Sequence, residues 1–118
     1  MRKITKEAVY AFNRGFHFKK SNTEVTQGAF YLHGNKIAKK VNGGVLVSDG
    51  GWQSNTTKER LNGILSNYGL LVIQKNWNWY IIKNDFLNDK RWKFDDLKDD
   101  SGFVNINKLP DEYPEYFI

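Results

Sequence analysis

An α+β fold is what this sequence predicts: an antiparallel sheet, made of a β-meander and a C-terminal hairpin, with two helices packed on one face. Three observations predict it. Residues 23–48 alternate apolar and polar side chains between glycine-rich turns. Residues 56–69 carry a helical period, with Leu61, Ile64, Leu65 and Tyr68 on one stripe and Gly69 as a stop. Two further apolar runs, 70–74 and 77–82, flank Lys75-Asn76 as a second hairpin.

In chain order, Thr5 is placed to cap a first helix whose apolar face is Ala8, Val9 and Phe12, and Gly15 ends it. Phe16 and Phe18 alternate with His17 and Lys19, as in extended chain. The meander follows: 23–26, 29–33, a Gly34-Asn35 turn, 36–41, an Asn42-Gly43-Gly44 turn, and 45–48. With those loops Leu32 lies opposite Ile37, Tyr31 opposite Ala38, Val41 opposite Val45 and Lys39 opposite Val47. One face then collects Phe30, Leu32, Ile37, Val41, Val45 and Val47, with Lys39 as a misfit. The other collects Tyr31, His33, Lys36, Lys40 and Leu46. Gly50-Gly51 turns the chain and Trp52 brings an apolar body into the turn. Thr56 and Glu59 then form a T-x-x-E capping box, in which each side chain satisfies an orphan amide of the first helical turn. In the second hairpin Trp77, Trp79 and Ile81 share a side, and Phe103, Val104 and Ile106 suggest one more short strand.

The 118 residues, 40% of them hydrophobic, suit a single domain with its own core. Residues 1–84 read as the compact core and 85–118 as an acidic-aromatic C-terminal extension. Without cysteine there is neither a disulfide nor a thiolate metal site. The opening MRKITKEAVYAF is too short in its apolar run for a signal peptide, and no stretch reaches a membrane span. A protein of the cytoplasm is expected. The net charge of +5 is uneven. Residues 1–60 hold eleven Lys or Arg against four Asp or Glu; residues 61–118 hold seven against nine. A basic front half points to an anionic partner, or to neutralisation by the acidic tail.

Four segments, NTEVT (22–26), LHGNKIA (32–38), GWQSNTTKERLN (51–62) and QKNWNWY (74–80), together resemble a family of small uncharacterised tailed-bacteriophage proteins. The similarity covers about residues 5–82, and the segment after Asn84 is longer than in typical members. The resemblance implies a viral origin and synthesis in an infected bacterium, hence the host cytoplasm. It implies no catalytic residue.

The residues carry little enzyme chemistry. His17 and His33 share no metal-ligand spacing. Asp95, Asp96, Asp99 and Asp100 with Gly102 invite a calcium loop, but Leu97 breaks the pattern where a ligand is required. Nucleophile-elbow, P-loop and dinucleotide motifs are absent. Ser48, Ser54 and Ser66 suit turns and helix ends, and Glu59 is committed to its cap. No enzyme activity, cofactor or membrane association is expected. The informative set is Tyr31, His33, Lys36 and Lys40 on the outward sheet face, led into by Lys19 and Lys20. Lysines for phosphates and an aromatic platform for a base are how strand faces hold single-stranded nucleic acid. The leading expectation is a non-enzymatic phage accessory protein that binds nucleic acid, or a host complex that handles it, through this basic face. A protein-directed inhibitor of a host enzyme or defence system, acting through the acidic-aromatic tail, is the alternative. A minor virion component is a third.

Overall fold

The computed structural model describes residues 1–83, 90–109 and 115–116; of Lys90, Glu115 and Tyr116 it gives the backbone. Helix α1 (Lys3–Arg14) starts before Thr5, with Arg2 at the cap position and no side-chain capping bond. Thr5 is instead buried inside the helix, where its hydroxyl meets Glu59 and Arg60. The terminus is as expected: Gly15 closes α1 at φ 75°.

Five strands follow: β1 (Phe18–Lys20), β2 (Thr23–Thr26), β3 (Ala29–Leu32), β4 (Asn35–Val41) and β5 (Gly44–Val47). They pair antiparallel in sequence order. The register differs from the expected one. The β3–β4 loop is His33-Gly34, both left-handed at φ 52° and 78°. Two positive φ values match the right-handed twist of a two-residue hairpin, and a Gly34-Asn35 loop would need Asn35 in that conformation instead. Leu32 therefore faces Asn35 and Tyr31 faces Lys36. A β-bulge at Phe30/Tyr31 then takes up one residue, so that Phe30 faces Ala38. Its mark is two consecutive buried residues, Ile37 and Ala38. The next loop is Asn42-Gly43 alone, which sets Val41 opposite Gly44 and Lys40 opposite Val45. Val41, expected in the core, is 37% exposed.

The chain then crosses to α2 (Asn55–Leu65). Its cap is Ser54, not Thr56: Ser54 is the extended residue, and its Oγ accepts from the Thr57 amide at 3.1 Å. Glu59 is thus no capping-box partner and turns to Thr5 and Arg60. Leu61, Ile64 and Leu65 are buried as expected. Tyr68 is not, because the helix tightens into a 3-10 turn at Ser66–Tyr68 before Gly69 stops it at φ 69°. Trp52 lies outside the turn it was expected to fill, at 75% exposure. Where the helices meet, a Cβ on Gly63 would stand 2.7 Å from Thr5 Cγ2, so glycine permits the close approach of α1 and α2.

A second sheet takes β6 (Leu70–Lys75), β7 (Asn78–Lys83), β8 (Lys90–Lys93) and β10 (Glu115–Tyr116) in the order β10-β8-β7-β6. Between β8 and β10 lie a short α3 (Phe94–Leu97) and β9 (Val104–Asn105), and β9 joins the first sheet beside β5. Trp79 and Ile81 point into the core with Trp92, but Trp77 does not join them. It sits in the Asn76-Trp77 loop, 89% exposed.

The protein is α+β, with antiparallel sheets of six and four strands. Helix α1 packs over β1 and β2; α2 packs on α1, reaches β4 and lies chiefly against β6. Phe18, Val25, Phe30, Ala38, Val47 and Val104 form one unbroken row across the six strands, facing the core. Arg60, 1% exposed, ties the layers: it donates to Thr5 of α1 and Thr23 of β2 and pairs with Glu59. The division expected at residue 84 is not a boundary of the core. Trp92, Phe94, Val104 and Ile106 belong to the same buried cluster as Phe12 and Leu61. Aromatic residues spaced through a charged segment gave no period to read, yet burying them removes a large apolar area from water.

Candidate nucleic-acid interface and an adjacent cleft

The outward face of the first sheet follows from the pairing. Lys19, Glu24, Tyr31 and Lys36 stand in one row across β1 to β4, on the side away from the core. Lys36 Nζ lies 5.8 Å from the centre of the Tyr31 ring. Farther along, Lys39 pairs with Leu46, which pairs with Asn105. Lys39 Nζ lies 4.8 Å from the Phe103 ring. The face thus holds two aromatic rings, each with a lysine over it, an arrangement in which the ring quadrupole attracts the cation.

Of the six residues expected here, the structure keeps three together: Lys19, Tyr31 and Lys36. The bulge separates Lys40 from Lys36, because it cancels the parity that places residues four apart on one side of a strand. Lys40 faces the helix layer, where its Nζ donates to the Asn13 carbonyl at 3.1 Å and lies 5.4 Å from the Phe12 ring. That is a cation at the C-terminal end of α1, where the helix dipole favours it. Lys20 is exposed but shares its row with Thr23, Leu32 and Asn35, opposite in sense to Lys19. His33 occupies the turn, with Nε2 3.4 Å from Asn22 Nδ2. Lys39 and Phe103 were missed. The bulge shows in the sequence only as the adjacent apolar pair Ile37-Ala38 and the misfit Lys39, and Phe103 immediately precedes β9, which pairs with a strand distant in sequence.

The face is not uniformly basic. Glu24 stands within the Lys19–Lys36 row, 3.7 Å from His17. Asp99 lies near Lys39, and its carboxyl is held below its ordinary value by the Ser101 hydroxyl and the Phe103 amide. Those bonds make the aspartate-rich segment a self-satisfied turn: Asp99 Oδ1 accepts from Ser101 N, Ser101 Oγ and Phe103 N. Among the described residues no three His, Asp or Glu side chains are grouped as a metal would need.

On the core side of the sheet end is a cleft of ≈ 410 Å³. Leu32, His33, Asn35 and Ile37 form one wall; Asp49, Gly50, Trp52, Ser54, Thr56 and Thr57 form the other. The loop that carries Trp52 is fixed by Asp49, which accepts from Gly51 N at 2.8 Å and pairs with Lys98 at 2.7 Å. Burial alone would raise the Asp49 carboxyl; the Lys98 ammonium and the Gly51 amide outweigh it and hold the group below its ordinary value. Burial would likewise lower Lys98, and its bonds to Asp49 and Asp95 raise it.

The sequence pattern described as Kyanoviridae Gp96 protein matches residues 1–101. The chain belongs to this phage family. The matched residues run from α1 past α3 and so include part of the segment read as an extension. The Gp96 family has no known function, so membership adds no site residue. No curated protein and no solved structure matches the chain. No helix among the described residues is long and apolar enough to cross a membrane.

Proposed function

We propose that this phage protein is a non-enzymatic binder of single-stranded nucleic acid, acting in the host cytoplasm through the outward face of the six-stranded sheet. The observation that supports it is the pair of lysine-topped aromatic rings, Tyr31 with Lys36 and Phe103 with Lys39, on one strand face. Bases stack on such rings, and the lysines neutralise the phosphates between them. The test is fluorescence anisotropy with a labelled single strand and a labelled duplex over a salt series. Binding to the single strand should fall steeply with salt, since each neutralised phosphate releases counterions. Lys36→Glu with Lys39→Glu should abolish it and leave the melt nearly unchanged. Tyr31→Ala should weaken it by about 1–3 kcal/mol, the usual contribution of a stacked base. Absence of salt-sensitive binding to either probe sinks the reading.

A protein-directed inhibitor is the second reading, and Trp77 favours it. An exposed tryptophan at a hairpin tip has the form of an interface anchor, since tryptophan dominates the residues that carry binding energy. Co-purification of a bacterial target that is lost on Trp77→Ala would support it.

A further inference from the structure

We propose that the cleft between the β3–β4 turn and the start of α2 binds a neutral planar heteroaromatic molecule of the nucleoside class. Its volume of ≈ 410 Å³ is in the range of small-molecule sites. Trp52 supplies a stacking surface: its side chain lies on the cleft and is 75% exposed. A large aromatic held in water by a fixed loop is preorganised for a ligand, because little ordering remains to be done on binding. The loop is fixed at both ends. Asp49 bonds anchor its start, and the Ser54 amide donates to the Trp52 carbonyl at 3.0 Å. It also lies tight against the opposite wall, since a Cβ on Gly50 would stand 3.2 Å from Asn35 Cβ.

The polar lining selects the ligand. Ser54 and Thr57 are bonded to each other, and Asp49 is fully engaged. The Asn35 carboxamide and the Thr56 hydroxyl take part in no hydrogen bond among the described residues. A carboxamide offers a donor and an acceptor side by side, the pattern that pairs with the edge of a base. No lysine or arginine lines the cleft, and the charge of its one carboxylate is offset by Lys98. A phosphate would meet no cationic side chain there. The ligand is therefore uncharged and flat, with hydrogen-bonding groups on one edge and apolar contact from Leu32 and Ile37.

This inference stands apart from polyanion binding by the sheet, because free nucleosides carry no phosphate. The full chain, labelled with 15N, is titrated with adenosine, guanosine, cytidine and uridine in turn. The indole signals are assigned by the peak missing from Trp52→Leu, which keeps an apolar body and removes the ring. A saturable shift of the Trp52 indole, with Trp77 unmoved as the exposed control, is the expected result for at least one nucleoside. Asn35→Ala, read at the Trp52 indole, and Trp52→Leu, read at the backbone amides of residues 49–54, should each weaken that binding by at least about tenfold, as the loss of a stacking or edge-pairing partner does. Both positions are exposed, so the folded spectrum should persist. No saturable shift with any nucleoside, an equal shift of Trp77, or affinity unchanged in both variants would each overturn the assignment.

Discussion

The two sheets are both antiparallel and both turn through two-residue loops, yet they fill those loops differently. In the six-stranded sheet the left-handed pairs are Gln27-Gly28 and His33-Gly34, each ending in the residue that adopts positive φ without strain. In the four-stranded sheet the corresponding pair is Asn76-Trp77, with a bulky residue at φ 69°. The edges differ as well. The first sheet ends in β1, three residues long, with lysines that discourage pairing. The second ends in β6, six residues long, and α2 covers that edge: Asn62 donates to the Val72 carbonyl at 3.1 Å and accepts from its amide at 2.6 Å. Strands β1 to β5 of the first sheet are therefore organised by their own local turns. The second depends on tertiary partners, the helix beside it and the tryptophans behind it.

The largest test of that dependence is Trp79→Ala. Trp79 is 2% exposed and packs edge-on to Phe94 at 5.6 Å. Its removal should destabilise by about 3–5 kcal/mol, the range for a buried aromatic. Because the buried cluster is shared by both sheets, denaturation should remain one transition for far-UV and tryptophan probes. Two separate transitions would show that the sheets fold independently.

Asn62→Ala tests the covered edge. It strands the Val72 amide and carbonyl and should destabilise by about 1–3 kcal/mol. Hydrogen exchange at Val72 should speed up more than at Phe30. Equal acceleration at both would mean that Asn62 serves the whole fold and not the edge.

Lys98→Met tests the tether between the Trp52 loop and α3. The loss should be about 1–2 kcal/mol near neutral pH, for a charge-assisted bond that is partly exposed. The pH dependence has a definite sign. Asp49 is lowered in the folded protein, so its contribution is complete above the unfolded carboxylate range and fades as pH falls through the folded value. Lys98 is raised, so its contribution fades only as pH climbs past the ordinary lysine range. Parent and variant should thus converge in acid. A constant difference down to strongly acidic pH would exclude the Asp49–Lys98 pair as the cause.

Ser54→Ala should cost about 1 kcal/mol, the usual effect of losing an N-cap, while Thr56→Ala should cost far less. The reverse order of melting temperatures would restore Thr56 as the cap. This pair also shows what was legible in the sequence. The existence of α2, its buried stripe and its Gly69 stop were readable because periodicity and a left-handed glycine are local signals. The cap was not, since Ser54 and Thr56 are both good candidates and tertiary context decides between them. The meander was readable from its turns, but its register slipped because Gly34 can stand first or second in a two-residue loop. That slip, with the bulge at Ile37, moved Lys40 to the helix side and hid Lys39. The cleft was not readable at all: Asn35 and Trp52 meet only because the 48–54 loop folds back on β4.

The smallest expected change is a gain. Trp77→Gly places Asn-Gly, the preferred pair for this turn, at the tip of the β6–β7 hairpin. A left-handed conformation costs a residue with a Cβ about 1–2 kcal/mol, and glycine avoids this. Glycine returns part of the gain, because its unfolded chain has more freedom to lose, by about 0.5–1 kcal/mol. Trp77 is 89% exposed, so little packing is lost with the ring. The net should be stabilisation by about 0.5–1 kcal/mol, read as a higher midpoint in denaturant. A lower midpoint would mean that the ring has contacts that offset its strain. A higher one would mean that the hairpin holds a strained tryptophan in water at the expense of its own stability, as residues kept for contact with a partner do. The same variant then separates the two readings of function. It should leave single-strand binding by the sheet face intact, and it should abolish capture of a host protein if Trp77 is the anchor.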